Sequence, residues 1–170
     1  MHEEFEQVYR EYYGSINKFI LKLCGDSTLA EELTQETFYR TYLSLHRFQG
    51  KSSLYTFIVS IAKHTYYKHM KKNKPVMPYE DIDEQAYLPQ SHTSGDPLYI
   101  YEKKDERYAL RRMIDQLPEK YRDVILYRIY AEMTFEQVAK VMDITENSAK
   151  VLFHRAKKKL SEELKNEDYL

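Results

Sequence analysis

Two stretches of this 170-residue chain carry side chains suited to phosphates and bases. The first, TFEQVAKVMDITENSAKVLFHRAKKKL, spans Thr134 to Leu160. Plotted at about 100° per residue, Ala149, Leu152, Phe153, Ala156 and Leu160 share one apolar band, a packing face. Opposite it stand Asn147, Val151, His154 and Lys158. Lys150 and Lys157 flank that outward face on one side and Arg155 on the other. Cations on such a face bind phosphates and release counterions, while an amide, an ammonium and an imidazole can address base edges. Asn147, Lys150 and His154 are the candidates for that reading, and Val151 can touch a thymine methyl group.

The second stretch, KHTYYKHMKKNK, runs from Lys63 to Lys74 with five lysines and no carboxylate. Tyr66 and Tyr67 stand among the cations. Lysines track a phosphate backbone, and aromatic rings offer faces for unstacked bases, a mixture that suits single-stranded or opened DNA. Lys63, His64, Tyr67, Lys68 and Lys71 are its candidate contacts. Taken alone, each stretch also reads as a solvated helix end with lysines near the negative end of the dipole. The whole chain does not advertise nucleic acid, since 26 basic against 27 acidic residues leave a formal charge of -1 and a pI near 6.6.

Catalytic arrangements are missing. His64 and His69 lie five residues apart, about 140° around a helix, and do not converge on a metal. Glu32 and Glu36 resemble half of a di-iron pair, but Gln35 and Tyr39 occupy the places where a Glu-x-x-His histidine belongs. No glycine-rich phosphate loop exists. Cys24 is the only cysteine, which excludes an internal disulfide and a thiolate cluster and reads as a buried reduced thiol. The expectation is a non-enzyme without metal or cofactor. MHEEFEQ at the N-terminus lacks the blocks of a signal peptide, and no apolar run approaches the roughly 20 residues that cross a bilayer. A cytoplasmic protein without membrane contact of its own is expected.

The elements that must position these residues are helices. Phe5, Val8, Tyr9, Tyr12, Ile16, Phe19, Ile20 and Leu23 form the stripe of a first helix, ended by Gly25-Asp26. Thr28 with Glu31 predicts a capping box for a second, running to about His46 with Ala30, Leu33, Thr37, Phe38, Thr41 and Leu45 inward. After the loop RFQGKSS, a third begins near Leu54 with Leu54, Phe57, Ile58, Ile61, Ala62 and Thr65 inward. Prolines and the acidic cluster Glu80, Asp81, Asp83 and Glu84 then break the pattern. So long a structureless piece argues for two domains. The reading is therefore all-α: a helical bundle over 1–74, a flexible acidic linker over 75–100, and a four-helix domain over 101–170. In the last, helices begin near Tyr101 and at Pro118, and Leu110, Met113, Ile114, Leu117, Tyr121, Val124 and Ile125 supply core. Thr134 and Gln137 predict a second capping box, and DIT (143–145) a turn. Aspartate tolerates the left-handed backbone that such a turn needs, so a helix-turn-helix is expected.

Four segments in this order and spacing, AEELTQETFYRTY, SLYTFIVSIAKHTYYKHMKKNK, LPEKYRDVILYRIY and the helix-turn-helix, closely resemble bacterial sigma factors of the extracytoplasmic-function group. The resemblance covers nearly the whole chain outside the linker. It implies a subunit that binds core RNA polymerase and directs promoter recognition for a stress or cell-envelope regulon. Glu32, Gln35 and Glu36 match the helix that binds the clamp helices of the largest polymerase subunit. Lys51 and Ser52 lie in the loop that, in such factors, holds a flipped base of the melted minus-ten element, together with the basic helix that follows. Asn147, Lys150, Val151 and His154 match the reader of the minus-thirty-five element, whose domain also packs on the polymerase flap. The linker carboxylates are implied to occupy a polymerase channel meant for nucleic acid. An anti-sigma partner, often membrane-anchored, is implied too.

The chain departs from the family at Phe57, commonly tryptophan, at Lys63-His64, commonly arginine-asparagine, and at Lys68, usually aspartate. Lys71 and Leu152 stand where arginine is frequent. Charge type mostly survives, so these departures bear on which promoter is preferred. A stand-alone helix-turn-helix regulator of duplex operators is the alternative function, and a purely helical interaction protein a third.

Overall fold

The computed structural model describes residues 2–73 and 97–167. Among them there is no strand. The order is α1 (His2–Cys24), α2 (Ser27–Ser44), a 3-10 turn (Leu45–Arg47), α3 (Leu54–Lys72), α4 (Pro97–Gln116), α5 (Glu119–Ile125) continuing as a π-helical turn (Leu126–Tyr130), α6 (Phe135–Met142) and α7 (Glu146–Glu167). The described residues fall into two compact units, 2–48 with 57–73 and 49–56 with 97–167. The acidic cluster at 80–84 and Lys74 lie outside the described residues.

In the first unit α1 and α2 pack along the expected stripe. Ile16, Phe19, Ile20 and Leu23 are buried against Ala30, Leu33 and Phe38. Three threonines also face this core. The hydroxyls of Thr34, Thr37 and Thr41 each donate to the carbonyl one turn back, at 2.6, 2.7 and 2.8 Å. That removes the cost of burying an unpaired polar group. The cap of α2 is not the expected Thr28–Glu31 box. Asp26 stands one residue before the helix, and its carboxylate accepts from the backbone N–H groups of Thr28 and Leu29 at 2.9 and 3.0 Å. Gly25 turns the chain with φ +69, so Asp26 is already extended and in place before Thr28 is reached.

α3 starts where expected, with the Ser53 hydroxyl accepting from the Thr56 N–H at 3.2 Å. Its inner face is rotated relative to the expected stripe. Ile58, Ala62 and Thr65 are buried, but Leu54, Phe57 and Ile61 are half-buried, and Val59 and Tyr66 take up the core. Cys24, expected to be buried, is half-buried. Its thiol donates to the Asp26 carbonyl at 3.2 Å, and burial pushes its pKa above the ordinary thiol range.

In the second unit α4 begins at Pro97, four residues before the expected start, because proline is preorganised for the first helical position. Pro118 instead precedes α5 as its extended N-cap. Met113, Ile114, Leu117, Val124 and Ile125 are buried as expected, Tyr121 is half-buried, and Leu110 is exposed at 37%. The π-helical turn at Leu126–Tyr130 is not foreshadowed by helical periodicity. There the Ala131 N–H reaches back five residues to the Leu126 carbonyl at 2.9 Å. The wider turn keeps Leu126 and Tyr127 buried while Ile129 faces outward. Arg128 then donates to the Met133 carbonyl at 2.9 Å, holding the exit toward α6.

Replacing Asp26 by alanine is expected to lower stability by about 1 kcal/mol, the usual worth of an N-cap, and Thr28→Ala by much less. Urea unfolding of both variants checks which residue caps α2.

Candidate nucleic-acid interface

α6 and α7 meet through three residues. Thr134 and Gln137 form the expected capping box, with the Thr134 N–H donating to Gln137 Oε1 at 2.9 Å and the Gln137 N–H to Thr134 Oγ1 at 3.2 Å. α6 ends at Asp143, which takes the left-handed conformation with φ 54 and ψ 49. The N–H groups of Asp143 and Ile144 both donate to the Ala139 carbonyl. Thr145 then caps α7, its hydroxyl accepting from the Ser148 N–H at 3.1 Å. The helix-turn-helix geometry is thus set by backbone bonds at both helix ends.

The apolar band of α7 packs against α5 and α6. Ala149 and Ala156 are wholly buried, Leu160 nearly so, and Leu152 and Phe153 half-buried. Two alanines at the contact let the helix axes approach closely. All seven expected contacts on the other side, Asn147, Lys150, Val151, His154, Arg155, Lys157 and Lys158, are exposed. No carboxylate interrupts the helix between Asn147 and Leu160. Two of the cations are held. Lys150 pairs with Glu146 at 3.0 Å, and Lys157 lies 4.7 Å over the Phe153 ring. Phe135, the first residue of α6, packs edge-on to Phe153 at 5.6 Å and carries the Arg128 guanidinium 4.8 Å above its centroid.

On α3, His64, Lys68 and Lys71 are exposed and recur at helical spacing along one face, with Lys63 and Tyr67 half-buried beside them. Tyr66, read from the sequence as a companion ring for base stacking, belongs instead to the core. It is 4% exposed, and its hydroxyl donates to the Leu23 carbonyl at 3.2 Å. Tyr67 meets its edge at 5.0 Å and is the ring left toward the surface. In the loop before α3, Lys51 is exposed and Ser52 half-buried, its hydroxyl donating to the Ser53 carbonyl at 3.4 Å.

On α2, Glu32 and Gln35 are exposed, while Glu36 is half-buried and accepts from Arg40 Nε at 2.6 Å. Sequence reasoning missed what adjoins them. Gln35 borders a shallow groove of about 270 Å³ lined by Phe5, Tyr9, Phe38, Tyr39 and Tyr42. Tyr39 is 60% exposed and Leu43 53%. The signal was available, because Gln35, Tyr39 and Tyr42 recur at four and three residues on the outer side of α2.

Two family descriptions match the chain: Sigma-70 region 2 over residues 8–76, and Sigma-70, region 4 over residues 107–160. The chain belongs to the sigma-70 family. Three similar curated proteins from Bacillus subtilis (strain 168), two of them named as extracytoplasmic-function (ECF) factors, agree with that group. RNA polymerase sigma factor YlaC is 24% identical across 95% of this chain and 92% of its own length. ECF RNA polymerase sigma factor SigM is 26% identical across 91% of each. ECF RNA polymerase sigma factor SigX is 28% identical across 94% of this chain and 83% of its own. Among solved structures the fold resembles CnrH, determined in complex with the cytosolic domain of CnrY, with TM-score 0.63 and 14% identity over 98% of this chain and 90% of that one. It also resembles the sigma factor RpoE of Bartonella quintana, determined with the anti-sigma factor NepR, with TM-score 0.60 and 20% identity over 96% and 98%. This sigma-70 protein is therefore a promoter-specific initiation factor that works with RNA polymerase. Sigma factors are non-enzymatic. The alternative of a stand-alone operator-binding regulator is not favoured, since the match includes region 2 as well as the helix-turn-helix. Among the described residues no helix is long and apolar enough to cross a membrane.

The left-handed Asp143 makes the turn sensitive to side-chain shape. Asp143→Val is expected to cost about 1–2 kcal/mol, while Asp143→Gly is tolerated. Thermal unfolding of the two variants measures the difference.

Proposed function

We propose that this sigma factor divides its work among three exposed surfaces. Glu32, Gln35 and Glu36 on α2 engage the clamp helices of the largest polymerase subunit, with acidic and amide groups offered to a basic partner. Lys63, His64, Tyr67, Lys68 and Lys71 on α3, with Lys51 and Ser52 in the preceding loop, hold the opened minus-ten strand. Asn147, Lys150, Val151, His154, Arg155, Lys157 and Lys158 on α7 read and anchor the minus-thirty-five duplex, in a domain that also packs on the polymerase flap. The observation that carries this reading is the outward side of α7, exposed at all seven expected contacts and free of carboxylates from Asn147 to Leu160, backed by a packed band and two capped helix ends. The proposed division is a domain over 1–74, a linker over 75–100 and a domain over 101–170, with α4 reaching four residues into the expected linker. Each grip offers only a few contacts, so free protein binds DNA weakly and polymerase supplies the alignment.

The protein performs no catalysis of its own and acts in the cytoplasm. A cognate anti-sigma factor restrains it, as the partners solved with RpoE of Bartonella quintana and with CnrH support.

Mixing the full chain with core polymerase is expected to produce holoenzyme that starts transcription at defined promoters. Reversing Glu32 and Glu36 to lysine is expected to lower holoenzyme yield, measured by gel filtration; undiminished assembly rejects the α2 assignment. Replacing Asn147 or His154 by alanine leaves assembly intact but weakens discrimination at individual upstream base pairs, by about 1–3 kcal/mol for a well-made contact.

Neutralising Lys63, Lys68 and Lys71 together is expected to slow strand opening more than polymerase binding. A template already melted at the minus-ten element restores the rate if those lysines serve opening. Persistence of the defect on that template rejects the assignment.

A further inference from the structure

Glu146 is the first residue of α7, and its carboxylate lies 3.0 Å from the Lys150 ammonium one turn later. Both side chains are about half exposed, at 51% and 53%. The ammonium also stands 6.0 Å from the centre of the Phe135 ring, whose other cation is Arg128. The neighbouring Lys140 is already bonded to Glu136 at 2.9 Å, which holds the Glu136 carboxyl below its ordinary range. Glu146 and Lys150 thus form a preset pair at the N-terminal end of α7, the part of a recognition helix that reaches base edges.

Resting on the assignment of α7 as the upstream reader, we infer that Glu146 and Lys150 act together to select a single G·C base pair, Lys150 on the guanine and Glu146 on the cytosine. A neutral pair gains little from a phosphate, because the carboxylate is repelled by the charge that attracts the ammonium. It releases few counterions and adds little sequence-independent affinity. A base pair offers the complementary partner. In the major groove of G·C, guanine presents the acceptors O6 and N7, and cytosine the N4 amino donor. O6 and N4 face each other across a Watson–Crick bond of about 2.9 Å, close to the spacing of the ammonium and carboxylate.

The flanking atoms decide between G·C and A·T. On guanine the ammonium meets a second acceptor, N7, and on cytosine the carboxylate meets no acceptor beside N4. With A·T the carboxylate at adenine N6 lies beside the acceptor N7, and the ammonium at thymine O4 lies beside a methyl group. Both halves of the pair therefore favour G·C. Glu146 is a specificity residue that net-charge reasoning hides, since it subtracts from the basic face while adding an acceptor to it.

The test uses holoenzyme assembled from core polymerase and the full chain, on promoters carrying each of the four base pairs at every upstream position. Wild type is expected to prefer G·C at one position by about tenfold. Glu146→Gln and Lys150→Met each reduce that preference to within about twofold, leave other positions unchanged, and are non-additive when combined. If Glu146→Gln instead tightens binding to all promoters alike, steepens the salt dependence and keeps the preference, Glu146 is only a counter-charge and the inference is overturned. Loss of the preference with Lys150→Met but not with Glu146→Gln overturns it as well. If no α7 substitution, Asn147→Ala included, alters any upstream preference, the inference falls together with the assignment of α7 on which it rests. Preference changes with Asn147→Ala alone remove the pair and leave the helix as reader.

Discussion

The direction in which α7 presents its basic side depends on a turn of three residues. Asp143 adopts a left-handed backbone, and its N–H and that of Ile144 close α6 on the Ala139 carbonyl. Thr145 opens α7 by accepting from Ser148. Because each residue turns a helix by about 100°, a change of one residue in this turn would carry the cations into the packing face and the alanines into solvent. The capping box at Thr134 and the Arg128 bond to the Met133 carbonyl hold the other end of α6. The orientation of the basic side is therefore settled by hydrogen bonds at helix ends, and the buried Ala149 and Ala156 let α7 settle onto its neighbours.

Charge in this protein acts locally. A formal total of -1 conceals basic stretches on α3 and α7, and at physiological ionic strength each is felt only over about 8 Å. Exposed ion pairs such as Glu146–Lys150 and Glu136–Lys140 contribute little to stability. Their consequence is orientational: they determine where an ammonium waits and whether it offers net charge or a donor beside an acceptor. Aromatic rings share in this, with Phe135 and Phe153 beneath Arg128 and Lys157. Membership in the sigma-70 family says what kind of partner these surfaces meet, and the side-chain geometry says which groups face it.

Helical periodicity made most elements readable in advance. The α1 stripe, the start of α3, the box at Thr134–Gln137 and the sorting of α7 all rest on interactions within a few residues of one another. The misreadings arise where a competing group was nearer or farther than the pattern assumed. Asp26 reaches the first N–H groups of α2 before Thr28 can, since Gly25 has already turned the chain. Tyr66 sits among lysines in sequence, yet it finds the Leu23 carbonyl 43 residues away and is buried by it. Leu110 fits the α4 stripe but is exposed, whereas Arg111 beside it is buried, pairing with Asp115 at 3.0 Å and lying 5.6 Å from the Tyr130 ring.

By itself the sequence determined the all-helical character, the capping box at Thr134–Gln137, the left-handed turn at Asp143 and the separation of α7 into packing and basic sides. These follow from periodicity and short-range hydrogen bonds, which the order of residues alone specifies. Tertiary structure decided which face of α3 is buried, the widened turn at Leu126–Tyr130, the aromatic groove beside Gln35 and the setting of Lys150 between Glu146 and Phe135. Except for the ion pair within α7, those outcomes depend on groups brought together from different helices, and no spacing within one helix specifies which of them meet.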